Sequence, residues 1–431
     1  MDHSLILCDT ANSIIVSIEN QNAYKIMFGV PQQVGFLDGD SWNSLLREPS
    51  AIVCMDDKNS LFVTDYRNHC VRMIKLNRST IQTIAGDGNQ GYKDGFDDKS
   101  QFFYPLGLAI HADQKRLFVA DRGNHLIRQI DISAHRRARL KHLQTEELAP
   151  LFEVTTLCGT PNVFGMKDGI GENSKFYCPE GLAFSTIDHN ILYVSECMNN
   201  CIRKVNVETR QVSIFVGNPN VCGFKDGSLL EAEFNWPRGI CVDCDETLYV
   251  CDCYNNSIRK VDRQGVVTTL IGSLKRGTAD GNREIAKLNN PSFVIVDGND
   301  DLIVSQQHCI RLITIPENFM IKKLKMLGKL YLFYRLIWPQ CDHKVGMLKL
   351  LLQLISYEMI AIDEMSRYWR WTLKQTLNQR MKLNKILDFA KDRKSLRNVK
   401  YLQQRLTQQQ LPQQSQEQMR ITFFQFILSQ M

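Results

Sequence analysis

The chain has 431 residues, 44% of them hydrophobic, 14 cysteines and a net charge of +6. That length accommodates one large domain plus a smaller one, and the composition is that of a globular chain, which argues against a fibrous or wholly disordered one. The charge is unevenly placed: residues 316–431 hold 20 of the 52 basic and 8 of the 46 acidic residues, so that segment is net +12 and the remainder net −6.

The opening MDHSLILCDT has no basic n-region and only a three-residue apolar run, so no secretory signal is expected. A cytoplasmic, reducing setting follows, in which disulfides are rare. LLLQLISY at 350–357 is the longest nearly uncharged apolar run, far short of the roughly 20 residues of a transmembrane helix.

Along the chain, TDYRNHCVRMI (64–74) returns as ADRGNHLIRQI (120–130), SECMNNCIRKV (195–205) and CDCYNNSIRKV (251–261). A fainter copy, CDTANSIIVSI, starts at Cys8, and a shortened one, SQQHCIRLI, at Ser305. Six copies mark a building unit rather than a catalytic site, whose residues are needed once. Between the copies run five segments of fixed length, Gly35 to Pro49, Gly91 to Pro105, Gly165 to Pro179, Gly223 to Pro237 and Gly277 to Pro291. Each places Asp-Gly three residues after its first glycine, a turn signal. Each also carries one apolar residue at the eleventh position, Leu46, Phe102, Phe176, Phe234 or Leu288, as a folded loop with its own anchor would.

The stretches LGLAIH, RLFVAD, HLIRQIDI and EVTTLCG are short and rich in β-branched or aromatic residues, so a unit has four strands. The spacing is 56 residues from Asp9 to Asp65 and again to Asp121. Four antiparallel strands at that period describe a propeller blade, and six copies predict an all-β six-bladed propeller over 1–315. The first copy begins at its second strand and the last lacks a clear fourth, so these two are expected as three-stranded blades or as a sign of truncation.

The unit reads P-x-G-[LI], [LF]-x-V-x-D, N-[HN]-x-I-R, T-x-x-G, G-x-x-D-G, and the letters NHL themselves occur at Asn124–Leu126. It resembles the NHL repeat over about residues 5–315. The resemblance implies a propeller of NHL type and allows protein or RNA binding. The RING, B-box and coiled-coil segments of tripartite-motif relatives do not stand in this sequence, so it gives no support for ubiquitin-ligase activity.

The repeated Asp, Asn and Arg positions read as architecture, with Arg72, Arg128, Arg203, Arg259 and Arg311 expected in ion pairs between strands or blades. Cys241, Cys244, Cys251 and Cys253 have the chemistry of a zinc site, but a core-cysteine reading is preferred, so no metal or cofactor is expected. Cys70, Cys201 and Cys309 share a register that predicts a small buried strand position. His69 and His125 are expected as structural residues rather than as a metal pair.

Binding is expected where the copies differ on the face carrying both the turn between strands two and three and the long loop, here called the top. Its candidates are Tyr66, Arg67, Tyr104, Arg122, Glu180, Met198, Trp236, Arg238 and Tyr254, most of them residue types common at binding hot spots. Blade three carries an insertion at about 133–151, expected on the lower face, with a basic cluster of Arg136, Arg137, Arg139 and Lys141. Residues 316–431 show helical periods and a Gln-rich stretch, and are expected to form an all-α, basic C-terminal region able to support oligomerisation. The sequence thus predicts a non-enzymatic scaffold for a protein or peptide. The alternatives are RNA binding aided by the insertion and tail, or a lyase or hydrolase with an axial metal.

Overall fold

The computed structural model describes residues 5–20, 23–133, 152–219, 221–297 and 300–315. The basic insertion cluster and the C-terminal region lie outside the described residues. The described chain folds into six antiparallel sheets, a six-bladed all-β propeller. Blade 3 shows the plan. Pro105–Ile110 is innermost, followed outward by Arg116–Asp121, Leu126–Asp131 and Glu153–Cys158. Blades 2, 4 and 5 repeat it from inner strands Pro49–Cys54, Pro179–Phe184 and Pro237–Val242.

The two incomplete copies are separate three-stranded blades. Blade 1 comprises Leu5–Asp9, Ile14–Asn20 and Ala23–Phe28, and blade 6 comprises Phe293–Val296, Leu302–Gln306 and Cys309–Ile313. Phe293 of blade 6 packs against the apolar cluster that blades 2 and 3 share.

A fifth, two-residue strand was not foreseen. Gly39–Asp40, Gly95–Phe96, Gly169–Ile170 and Gly227–Ser228 each pair with the outer strand of the blade that follows in sequence. The long loop therefore crosses between blades and fastens to the outside of the next one. Its anchors Leu46, Phe102, Phe176, Phe234 and Leu288 are all buried, and in every loop the first glycine's N–H donates to the anchor's carbonyl, at 3.0–3.2 Å.

Inner strands approach so closely around the axis that side chains must be absent. A Cβ on Gly107 would strike the Glu180 carbonyl, one on Gly181 the Arg238 carbonyl and one on Gly239 that of Ser292. This contact accounts for the glycine of P-x-G.

The repeated polar residues form one clamp per blade. Arg128, fully buried, donates to Asp121 at 2.8 Å on the neighbouring strand and to Asp94 of the incoming loop at 2.6 Å. It also donates to the carbonyls of Gln101 and Lys93. Asn124 joins Asp121 to the Gly91 carbonyl. Arg72, Arg203 and Arg259 repeat the arrangement with Asp65 and Asp38, Glu196 and Asp168, and Asp252 and Asp226. The aspartate of Asp-Gly, read from sequence as turn chemistry alone, is thus the arginine's second carboxylate. In blade 1, Val16 stands where the other copies carry arginine.

Two expectations about cysteine need adjustment. Cys70 and Cys201 are buried, but Cys309 is exposed, because its strand is the edge of its three-stranded sheet. Of the four cysteines read as core, Cys251 and Cys253 are buried, but Cys241 is only partly buried and Cys244 is exposed. Among the described residues no three His, Cys, Asp or Glu side chains are grouped to hold a metal.

The clamps differ in burial, so they differ in expected cost. Arg259→Met leaves Asp252 buried without its counter-charge and should destabilise by roughly 3–5 kcal/mol at pH 7. In blade 6 the acid is replaced by Gln306, and the loop partner of Arg311, Asp280, is 89% exposed. Arg311→Met should therefore cost under about 1 kcal/mol. Urea unfolding of both variants checks the difference; equal losses would contradict it.

Candidate functional site

The top face is built by two recurrent backbone devices. The residues after each strand-two acid form a short 3-10 turn, at Tyr66–Asn68, Arg122–Asn124 and Cys253–Asn255. Each turn ends on a left-handed residue, His69, His125 or Asn256, and Asn200 adopts the same conformation in blade 4. Asn and His tolerate that conformation better than most residues.

The residue before each loop proline is also left-handed, at Glu48, Tyr104, Cys178, Trp236 and Asn290. Its N–H is accepted by a side chain of the preceding blade. His69 Nδ1 takes Tyr104, His125 Nδ1 takes Cys178, Asn200 Oδ1 takes Trp236 and Asn256 Oδ1 takes Asn290, at 2.9–3.2 Å. Ser13 does the same for Glu48 in blade 1. The His/Asn alternation of the motif is one acceptor in two chemical forms, joining each blade to the next. His69 and His125 are structural in this sense.

These devices bring the sequence candidates into three groups. Tyr66 stacks on Tyr104 with ring centroids 4.7 Å apart, Tyr104 stacks on Phe103, and exposed Arg67 bonds Glu48 at 2.7 Å while lying near the Tyr104 ring. Trp236 lies against Tyr254 with centroids 5.0 Å apart, and Tyr254 is half exposed. Between them in sequence, Glu180 is buried and accepts from Arg122 at 2.8 Å and from Arg238 at 2.7 Å. Met198 is partly exposed in the blade 4 turn and joins none of these groups through a ring contact or ion pair.

Two guanidiniums on one carboxylate leave a net positive charge at the surface. Burial acts to raise the Glu180 pKa, but Arg238 and Arg122 outweigh it and hold the group below its ordinary value. The clamp acids show the reverse balance. Burial pushes Asp65 and Asp252 up to about 6, against the pull of the clamp arginine and the hydrogen bonds each accepts.

A shallow, polar cleft of about 340 Å³ adjoins the first group, lined in part by Arg47, Glu48, Arg67 and Gln33. Sequence reading missed Cys178, Phe103 and Phe164 on this face. Phe164 stacks on Tyr177 with centroids 4.7 Å apart, edge-on to His125. The missing signal was the left-handed pre-proline position, which the constant Gly-to-Pro length marks but does not interpret.

Glu180→Gln should destabilise by about 1–3 kcal/mol at pH 7, below the figure for a fully enclosed pair because both arginines keep solvent access. The folded pKa is depressed, so the carboxylate's contribution is complete above the unfolded value of about 4.3. It is lost as pH falls through the lower folded value. Denaturation of both proteins from pH 7 to pH 3 should show the difference shrinking below about pH 4. A constant difference would contradict the assignment.

The Teneurin NHL domain family matches residues 215–283. Protein SUPPRESSOR OF QUENCHING 1, chloroplastic, of Arabidopsis thaliana is 24% identical over 65% of this chain and 26% of its own length. NHL repeat-containing protein 2 of Homo sapiens is 27% identical over 46% of this chain and 26% of its own. The chain thus spans about a quarter of the length of these curated relatives. Among solved structures, virginiamycin B lyase from Staphylococcus aureus aligns with a TM-score of 0.40 and 12% identity, covering 73% of this chain and 82% of that one. The in-register motif, the blade plan and these similarities together support an NHL-repeat propeller.

Proposed function

We propose that this propeller is a non-enzymatic scaffold whose top face docks an acidic protein segment. A ring of loops on a rigid frame is a general interaction platform, and its specificity lies in the side chains that vary between repeats. The observation that carries the reading is the division of labour among polar residues. Those shared by the blades are buried in clamps, while the variable ones gather on one face as aromatic pairs around the Arg122–Glu180–Arg238 group. Aromatic rings and arginine are the side chains that most often dominate binding energy. The net positive charge left by two arginines on one carboxylate selects for carboxylate-bearing segments.

No helix among the described residues is long and apolar enough to cross a membrane.

The test uses the full chain against an array of acidic, neutral and basic peptides. The variant combines Tyr104→Ala, Trp236→Ala and Tyr254→Ala, and leaves Arg238 in place because its removal would strand the buried Glu180. Acidic peptides should be retained preferentially, and the variant should weaken them at least about tenfold at unchanged thermal stability. Equal retention by the variant would show that the surface is wrong. Competition by single-stranded RNA in place of peptide would favour a nucleic-acid partner.

A further inference from the structure

We propose that Cys178 and Cys197 form a reversible dithiol–disulfide centre on the top face, oxidised by small anionic disulfides of the glutathione class. The proposal is independent of the peptide-docking reading.

Strand register puts the two residues together. Pro179 pairs with Glu196 across the inner strands of blade 4, and extending that register one residue beyond the strand ends sets Cys178 opposite Cys197. The Cys197 N–H donates to the Cys178 carbonyl at 3.3 Å, and the Cys197 thiol reaches the same carbonyl at 3.3 Å. A direct backbone hydrogen bond keeps the two residues close enough for the roughly 4.4–6.8 Å Cα separation of a disulfide. At the same rung the other complete blades carry Glu48 with Tyr66, Tyr104 with Arg122, and Trp236 with Cys253. Blade 4 is the one that places cysteine on both strands.

The two thiols are unlike. Cys178 is partly exposed, and Cys197 is buried. The adjoining Cys197 thiol, with His125 and Arg122, holds Cys178 well below an ordinary thiol despite its partial burial. The proximity of Cys178, together with burial, pushes Cys197 up. Glu180 also stands nearby, with its charge offset by Arg122 and Arg238. The pair therefore has an accessible nucleophile and a protected resolving thiol, the asymmetry that thiol–disulfide exchange uses. Arg122, beside Cys178, favours the approach of an anionic disulfide.

The exchange balances in two steps. The Cys178 thiolate attacks one sulfur of the small disulfide, whose S–S bond breaks, and the departing thiolate takes a proton from solvent. Cys197 then attacks the Cys178 sulfur, the mixed disulfide breaks, and the Cys197 proton passes to the second departing thiolate. Two protein thiols are oxidised to one disulfide, and one small disulfide is reduced to two thiols.

The full chain is equilibrated in mixtures of reduced and oxidised glutathione, alkylated and mapped by mass spectrometry. Cys178 and Cys197 should lose alkylation together and appear in one linked peptide. Cys197→Ser should stop at a mixed disulfide on Cys178, enriched at least about tenfold over the exposed Cys54, Cys222, Cys244 and Cys309 at pH 7, as thiolate fraction dictates. Cys178→Ser should leave Cys197 alkylatable only after unfolding. The proposal fails if the wild-type pair stays reduced while those exposed cysteines are glutathionylated. It fails equally if the Cys197→Ser adduct shows no preference for Cys178.

Discussion

The constraint on which the propeller depends is a charged group placed where water cannot reach it. In blades 2 to 5 a guanidinium with no exposed side-chain surface lies between a buried acid and a loop aspartate. Removing such charges from water costs several kcal/mol each, and their attraction need not repay it. The raised pKa values of the buried acids point the same way. Each of these arginines also leaves its Nε without a partner. Arg128, Arg203 and Arg259 lie over their loop anchor rings at 4.9–5.2 Å, whereas Arg72, whose anchor is Leu46, lies over Phe36. The clamp is thus a poor source of net stability and a strong source of geometry. It favours one position of the incoming loop, because any other leaves N–H donors of the buried guanidinium without acceptors.

That geometry leaves the variable positions gathered on the face above. Two strands, the outer strand and the crossing loop are fixed by the clamp, and the His/Asn acceptor then fixes the pre-proline residue of the next blade. Every repeated polar side chain is used in this way. The positions that remain, after the acid and before the proline, are held rigidly but not chosen by the fold. They are free to carry Tyr66 and Tyr104 in one place, Arg122 beside Glu180 in another, and a cysteine pair in a third. Variation is concentrated there because the frame tolerates it there.

Much of this was legible in the sequence because it is local. Period-two runs gave the strands, the constant Gly-to-Pro length gave the folded loop, and copy number gave the blades. The eleventh-position residue proved to be the buried anchor in all five loops. What escaped was non-local. The link from Asn124 to the Gly91 carbonyl spans 33 residues, as does Asn68 to Gly35, and Arg128 reaches Asp94 across 34. Constant offsets of this kind carry the information, but they become contacts only once the loop is known to fold onto the following blade. Cys178 was passed over for the same reason. It stands 19 residues from Cys197, and only the strand register brings them face to face. Cys309 failed differently, since its register is that of a core position but among the described residues no outer strand of its sheet covers it.

The most direct test of the clamp as the organising element is amide hydrogen exchange in Asp94→Asn, which removes the loop's charge and leaves the Asp121–Arg128 pair intact. Amides tied to the loop, those of Gly91, Gln101 and Thr156, should exchange roughly ten to a hundred times faster. Those of the strand Arg116–Asp121 should keep their protection. Unchanged loop amides, or an equal acceleration throughout the blade, would contradict the account.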